Sequence, residues 1–281
     1  MIGQGKLLQS INKLIDDGFP RFVIITGQRG QGKKTLANYI SHKLNYQTVK
    51  SDIKIDELRN IIELAYQQTE PIIYLIPDAD KMSLGAKNSL LKVIEEPPNN
   101  AYFIMTLQTI DNTLPTIKSR CIELKMDNYS DEELNKFVDM INPNIDNLER
   151  IILTDIGENY YEIDTLNRYG ANQFYEYVQK VVNNIYKVSG ANSFKLAEKI
   201  NLKDDDSKYD LELFLRTFKI ICMDNILQII DLDEHKEEFK NYAMSIDATR
   251  DIIDQLSITG INKQSLLDIW ILNIRKIWRE N

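Results

Sequence analysis

The sequence predicts a layered α/β domain built on a parallel sheet, followed by an almost wholly helical remainder. Two observations carry this. The first 125 residues alternate short, continuous apolar runs with stretches whose apolar residues recur every three or four positions. Beyond them the helical spacing continues without further strand-like runs. Continuous apolar runs suit strands covered on both faces, and their alternation with helices suits a parallel sheet. Such domains hold their ligands at the carboxyl ends of the strands.

The elements follow in order. Phe22-Val23-Ile24-Ile25-Thr26 reads as a buried strand stopped by Gly27, and Ile72-Ile73-Tyr74-Leu75-Ile76 as a second stopped by Pro77. Tyr102-Phe103-Ile104-Met105-Thr106 is a third, with Ile122-Glu123-Leu124 as a short fourth. Between them, Leu36, Ile40 and Leu44 mark one face of a helix over 33–44. Ile55, Leu58, Ile62 and Ala65 mark another over 55–65. Ala86, Leu90, Leu91 and Ile94 mark a third over 84–95, ended by Pro97-Pro98. The remainder predicts helices over 130–140, 145–154, 172–186, 194–200, 211–230, 234–243, 246–256 and 263–279. Connectors fall at 142–144, Gly157, 188–190 and 202–208, with chain boundaries near Met126 and Gly190. Asp204-Asp205-Asp206 reads as a solvated loop.

Composition narrows the class. With 43% hydrophobic and 27% charged residues, the 281-residue chain is neither disordered nor fibrous. No run is long enough to cross a membrane, and the first twenty residues lack a signal-peptide core. The two cysteines lie far apart with no accompanying histidine, which points to the cytoplasm and away from structural zinc. The net charge of -8 is unevenly spread. Residues 1–125 carry 16 basic and 13 acidic side chains, net +3, so 126–281 holds net -11. The two halves are thus suited to different partners.

The chemistry concentrates in Gly27-Gln28-Arg29-Gly30-Gln31-Gly32-Lys33-Lys34, between a strand and a helix. Glycines let backbone N–H groups wrap a phosphate, and the helix N-terminus adds positive potential. Gly27, Gly30, Gly32, Lys33, Lys34 and Thr35 are therefore the candidate nucleotide-binding residues, with Lys33 placed for the β- and γ-phosphates. The motif ends in a Ser or Thr that holds Mg²⁺, but Lys34 stands there. Thr35 comes one residue late, rotated by roughly 100° on a helix. The loop is open to a second reading as a vestigial turn.

A P-loop ATPase also ends a buried strand with an Asp for the metal and a Glu for the attacking water. Here Leu75-Ile76-Pro77-Asp78 puts Pro77 at the metal position and Asp78 at the catalytic one. Asp78 is shorter than Glu by roughly 1.5 Å. ATP or ADP binding without Mg²⁺-dependent turnover is the expectation, with no metal site.

With these residues in hand, the chain resembles the bacterial clamp-loader family, the AAA+ subunits of DNA polymerase III. The match rests on Ile2-Gly3-Gln4, the phosphate loop, and Ala79-Asp80-Lys81-Met82-Ser83. It continues through Ala86-Lys87-Asn88-Ser89-Leu90-Leu91-Lys92, Glu95-Glu96-Pro97-Pro98 and Leu114-Pro115-Thr116-Ile117-Lys118-Ser119-Arg120-Cys121. The resemblance implies an AAA+ domain over 1–126, a small helical lid over 127–189 and an all-α collar over 190–281. The altered Mg²⁺ positions look most like the delta-prime subunit, a stator with no working ATPase site.

The resemblance further implies that Arg120 is an arginine finger offered in trans to a neighbouring ATPase. An ordinary surface Arg is the alternative. Lys87 and Lys92 become candidate DNA-phosphate contacts, or else a solvated helix face. Thr106 and Gln108 lie near the family's sensing position. The family's zinc module, expected near residues 44–50, has no cysteines here. At the lid's nucleotide-sensing arginine, Gln173 is the best match. The implied partners are gamma/tau and delta subunits in a pentameric ring, the sliding clamp, and primed DNA. Two other readings stay open: an active gamma/tau-like ATPase, and a non-catalytic scaffold outside replication. The apolar final helix, with Trp270 and Trp278, suits either an intramolecular core or collar packing between subunits.

Overall fold

The computed structural model describes residues 2–187, 192, 195–196, 211–230, 235–256 and 261–279. The chain forms two compact units, Met1–Glu133 and Leu134–Asn281. The expected boundary at 189/190, the Asp204–Asp206 loop and most of the 194–200 helix lie outside the described residues.

The first unit is a five-stranded sheet, every pairing parallel, in the order β2-β3-β4-β1-β5. Its strands are β1 (Phe22–Thr26), β2 (Gln47–Lys50), β3 (Ile72–Ile76), β4 (Ala101–Leu107) and β5 (Ile122–Lys125). The period-two alternation of a strand divides β1 between two cores. Val23 and Ile25 pack with Leu7 and Ile11 of α1 (Gly5–Asp16) and Leu36 and Ile40 of α2 (Lys33–Leu44). Phe22 and Ile24 pack on the other face with Leu58 and Ile61 of α3 (Ile55–Tyr66). Ala86 of α4 (Leu84–Ser89) and Val93 of α5 (Leu91–Glu95) complete that layer. Phe103 on β4 stacks on Phe22 of β1 at 4.5 Å within this second core, at paired positions of the β1–β4 ladder.

Four strands match the apolar runs. β2 was not among them because all four of its residues are exposed, so an edge strand left no apolar signature. Helix α1 was also unforeseen. The expected 84–95 helix is instead α4 and α5 joined at Leu90. There the Leu90 N–H turns back to Lys87 O at 3.3 Å, and the Ser89 hydroxyl donates to Ala86 O at 2.7 Å. That tightened turn and the competing hydroxyl interrupt the α ladder. A one-turn helix α6 (Pro115–Lys118) precedes β5.

Helix α7 (Asp131–Ile141) leads into the second unit, which continues with α8 (Asn147–Ile156), α9 (Tyr160–Tyr169) and α10 (Ala171–Asn184). It ends with α11 (Leu211–Ile229), α12 (Lys236–Leu256) and α13 (Lys263–Ile277). Helix α9 was missed, and the two helices expected over 234–256 are one. No Gly or Pro interrupts 236–256, and Ser245 and Thr249 bond back to carbonyls four residues earlier without breaking the helix. Trp270 on α13 is fully buried, edge-on to Phe218 at 4.8 Å and Phe214 at 6.0 Å. Its indole N–H donates to Thr249 at 2.9 Å. Of the two readings for the final helix, an intramolecular core is therefore real: Leu266, Leu267, Trp270, Ile271 and Ile274 are all buried. Among the described residues no helix is long and apolar enough to cross a membrane.

Candidate functional site

The sheet order gathers three loops at one edge. Strand β4 lies between β1 and β3, so the loops after β1 and β3 flank its carboxyl end. Gly27, the residue after β1, donates to Leu107 O and Gln108 O, each at 3.2 Å. Thr106, fully buried on β4, accepts the Asp78 N–H at 3.0 Å. Asp80 accepts from the Gln108 N–H at 2.7 Å. The sequence placed Thr106 and Gln108 near this position. Their work as braces for the β3 loop emerges only from the fold.

The loop from Gly27 to Gly32 enters α2 at Lys33. Gly30 and Gly32 adopt φ of 84° and 94°, a region costly for any residue with a Cβ. The Lys33 ammonium donates to Gly27 O at 2.6 Å and Gln28 O at 2.8 Å. An ammonium has three donors, so one is left over. Burial lowers the Lys33 pKa below the usual lysine value, against the opposing pull of Asp80 and Asp78 and with a smaller push from Lys34. The first N–H groups of α2 have no intrahelical partner, as at any helix start. Loop, helix terminus and Lys33 thus have the shape and charge to receive a phosphate.

Several residues that sequence reasoning passed over hold this loop. The buried Gln31 side chain accepts the Gln28 N–H at 2.6 Å and donates to Asn128 at 3.0 Å. The Tyr129 hydroxyl donates to Gln31 O at 2.6 Å. Gln4 uses both ends of its amide on Asp127, at 2.7 and 2.9 Å. These partners lie about a hundred residues away in the chain, so no local pattern could pair them.

Lys34 and Asp78 meet. The Lys34 ammonium lies 3.3 Å from an Asp78 carboxylate oxygen, both side chains about half exposed. Asp78 has φ 53° and ψ 42°, the left-handed conformation that Asp tolerates better than most residues. Thr35 is exposed and one step around the helix. Lys34 stands where the motif expects a hydroxyl, Pro77 next to Asp78 offers no side-chain ligand, and the Asp78 carboxylate is ion-paired with Lys34. Among the described residues no cluster of His, Cys, Asp or Glu could hold a metal.

Arg120 lies between α6 and β5, with 42% of its side chain exposed. Its guanidinium pairs with Glu95 at 3.2 Å and also donates to Thr116 O and the Ser119 hydroxyl, at 3.1 and 3.3 Å. In the sequence Glu95 stands out only as part of the Glu95-Glu96-Pro97-Pro98 segment that carries the resemblance; its pairing with Arg120 emerges from the fold. Lys87 is committed to Asn112 O at 2.5 Å, whereas Lys92 on α5 is exposed. Burial pushes the Cys121 thiol up to about 12, which leaves it a poor nucleophile.

Comparison with known proteins bears on the same unit. Residues 45–130 match the family described as DNA polymerase III, delta subunit. The DNA polymerase III subunit gamma of Buchnera aphidicola subsp. Acyrthosiphon pisum is 28% identical over 175 residues, 50% of this chain and 48% of that one. The delta' subunit of Buchnera aphidicola subsp. Baizongia pistaciae is 31% identical over 133 residues, 46% and 38% respectively. The chain thus spans about half the length of the curated relatives it matches, or less. A solved structure of a DNA polymerase III gamma subunit-related protein from Thermotoga maritima covers 97% of this chain and all of its own, with TM-score 0.53 at 16% identity. That likeness is one of fold.

Proposed function

We propose, for a chain related to the DNA polymerase III clamp-loader subunits, that it is a delta-prime-like member of that assembly. It acts as a stator: it stands in a hetero-oligomeric ring with gamma/tau and delta type subunits. It hydrolyses no ATP itself and presents Arg120 to the nucleotide of a neighbour. Its task is to help place a sliding clamp on primed DNA, in the cytoplasm.

The observation that carries this reading is the Lys34–Asp78 ion pair at the place where a P-loop motor holds its metal. A chain that has lost its own metal shell but keeps a surface guanidinium can still be catalytic in trans. Phosphoryl transfer spreads negative charge over equatorial oxygens, and an arginine finger there is worth roughly 10³–10⁵ in rate. A lysine could not offer the same planar fork. The residues assigned to nucleotide are Gly27, Gly30, Gly32, Lys33, Lys34 and Thr35. Asp78 is the remnant of the hydrolytic carboxylates.

Lys92, exposed on α5, is the better of the two candidate DNA-phosphate contacts, because Lys87 is already engaged with Asn112. We divide the helical region into a lid up to residue 189 and a collar from 190. Exposed Met223 and Leu227 on α11, with Ile269 and Leu272 on α13, support a protein-facing collar.

The test is reconstitution with motor subunits, clamp and primed DNA. Arg120→Ala should slow hydrolysis at the neighbouring site it serves by about 10³ or more, removing that site's share of the clamp-stimulated ATPase. Unchanged turnover would remove the finger. The similarity to gamma subunits favours a second reading, an active ATPase rescued by Thr35 and Asp78. It requires Lys34 to leave Asp78 and a metal to take its place. A scaffold outside replication would leave clamp loading indifferent to this chain.

A further inference from the structure

A P-loop fold implies a magnesium ion, and the residues present do not fit one. The motif's metal-holding hydroxyl is Lys34, its first carboxylate is Pro77, and the nearest hydroxyl, on Thr35, is one helical step away. The ammonium of Lys34 is held 3.3 Å from Asp78, so the carboxylate that remains is already paired with a cation. A divalent ion arriving here would have to displace that ammonium and then lie beside both Lys33 and Lys34. With neither the hydroxyl nor the first carboxylate in place, the protein offers such an ion no ligand of its own to offset that repulsion.

The phosphate-binding half of the loop keeps its glycines and Lys33, with the Gln31 amide oxygen accepting the Gln28 N–H where a phosphate oxygen would take its place. Lys33 is fixed by two loop carbonyls with one donor to spare, and Asn128 and Tyr129 brace the loop through the side chain and carbonyl of Gln31. The cleft beside Lys34 and Asp78, about 400 Å³, is also lined by Lys50, Lys81 and Asp52, two more cations against one more carboxylate. A cradle for phosphate has been kept while the shell for its counter-ion has been exchanged for an amine.

We propose that this loop takes the polyphosphate tail of a nucleotide without a divalent cation, the Lys34 ammonium, aimed by Asp78, standing in for the metal. The proposal rests on reading the loop as a nucleotide site. It adds the ligand's form: the free nucleoside di- or triphosphate, more negative than its magnesium complex. A monovalent organic cation neutralises charge but polarises no water, which fits binding without hydrolysis.

The experiment measures binding of a fluorescent ADP analogue to the full chain, in EDTA and in millimolar Mg²⁺. The wild-type chain should bind as tightly or more tightly in EDTA. Lys34→Thr, an exposed substitution, should reverse this, with Mg²⁺ tightening binding by about tenfold or more. Lys33→Ala should abolish binding in both conditions. A second readout needs no variant: Mn²⁺ added to the wild-type chain with ADP should show no relaxation enhancement from a protein-bound ion. Tenfold tightening of the wild type by Mg²⁺, or a bound Mn²⁺ signal, would overturn the proposal and leave the nucleotide site standing. Absence of nucleotide binding in either condition would instead remove the reading of the loop itself.

Discussion

Glu95→Gln tests how Arg120, the proposed arginine finger, is held before it acts. Arg120 is parked on its own domain through Glu95 at 3.2 Å, with two weaker contacts at Thr116 and Ser119. To reach a neighbour's phosphate, the guanidinium must give up Glu95. The pair is exposed on both sides, 42% and 54%, so it is worth at most about 1 kcal/mol. Freeing the finger should therefore raise the partners' turnover by about two- to fivefold. That is small beside the roughly 10³–10⁵ that an arginine finger contributes. Parking thus restrains the finger without disabling it.

The assay is steady-state ATPase of the assembled complex with clamp and primed DNA, at low and moderate salt. Raised salt should shrink the gain, since it screens an exposed pair. The double variant Glu95→Gln with Arg120→Ala should match Arg120→Ala alone, because Glu95 acts only through that side chain. Glu95→Gln lowering turnover would refute the reasoning, since the carboxylate would then be orienting the finger productively. A double variant clearly worse than Arg120→Ala would refute it too.

The helical unit should depend on Trp270. Trp270→Ala removes a fully buried indole and should cost about 3–5 kcal/mol in urea denaturation, whereas Trp270→Phe, which mainly loses the bond to Thr249, should cost about 1–2 kcal/mol. Both thiols should be slow to alkylate. Burial raises Cys121 and Cys222 to about 12, so the reactive thiolate is suppressed until pH rises well above 9, and labelling at pH 8 should lag a free thiol by about 10³ unless the chain is denatured. Rapid labelling in the native state would contradict the burial of Cys222 and the partial burial of Cys121.

What the sequence made legible follows from where the chemistry is local. Buried strands appear as unbroken apolar runs because both faces of the sheet are covered, and the P-loop appears because its glycines and lysines are contiguous. The helix over 33–44 is observed with those bounds. Strand β2 escaped because Gln47, Thr48, Val49 and Lys50 are all exposed. Helix α9 escaped because only Ile163 and Leu166 of its ten residues are buried, too few to establish a period. The site's second layer was invisible for a different reason. Gln31 meets Asn128, Gln4 meets Asp127 and Arg120 meets Glu95 only once the chain has folded. The defect at Lys34 and Pro77 was readable, but the ion pair that fills it was not.

The central claim is that this chain serves hydrolysis elsewhere and performs none itself. The direct measurement is ATP turnover by a reconstituted complex whose motor subunits carry an Ala in place of the P-loop lysine, leaving Lys33 of this chain as the one P-loop lysine not replaced. The account predicts no Mg²⁺-dependent turnover above background, with or without clamp and primed DNA. Turnover that requires Mg²⁺ and vanishes in Lys33→Ala would contradict it.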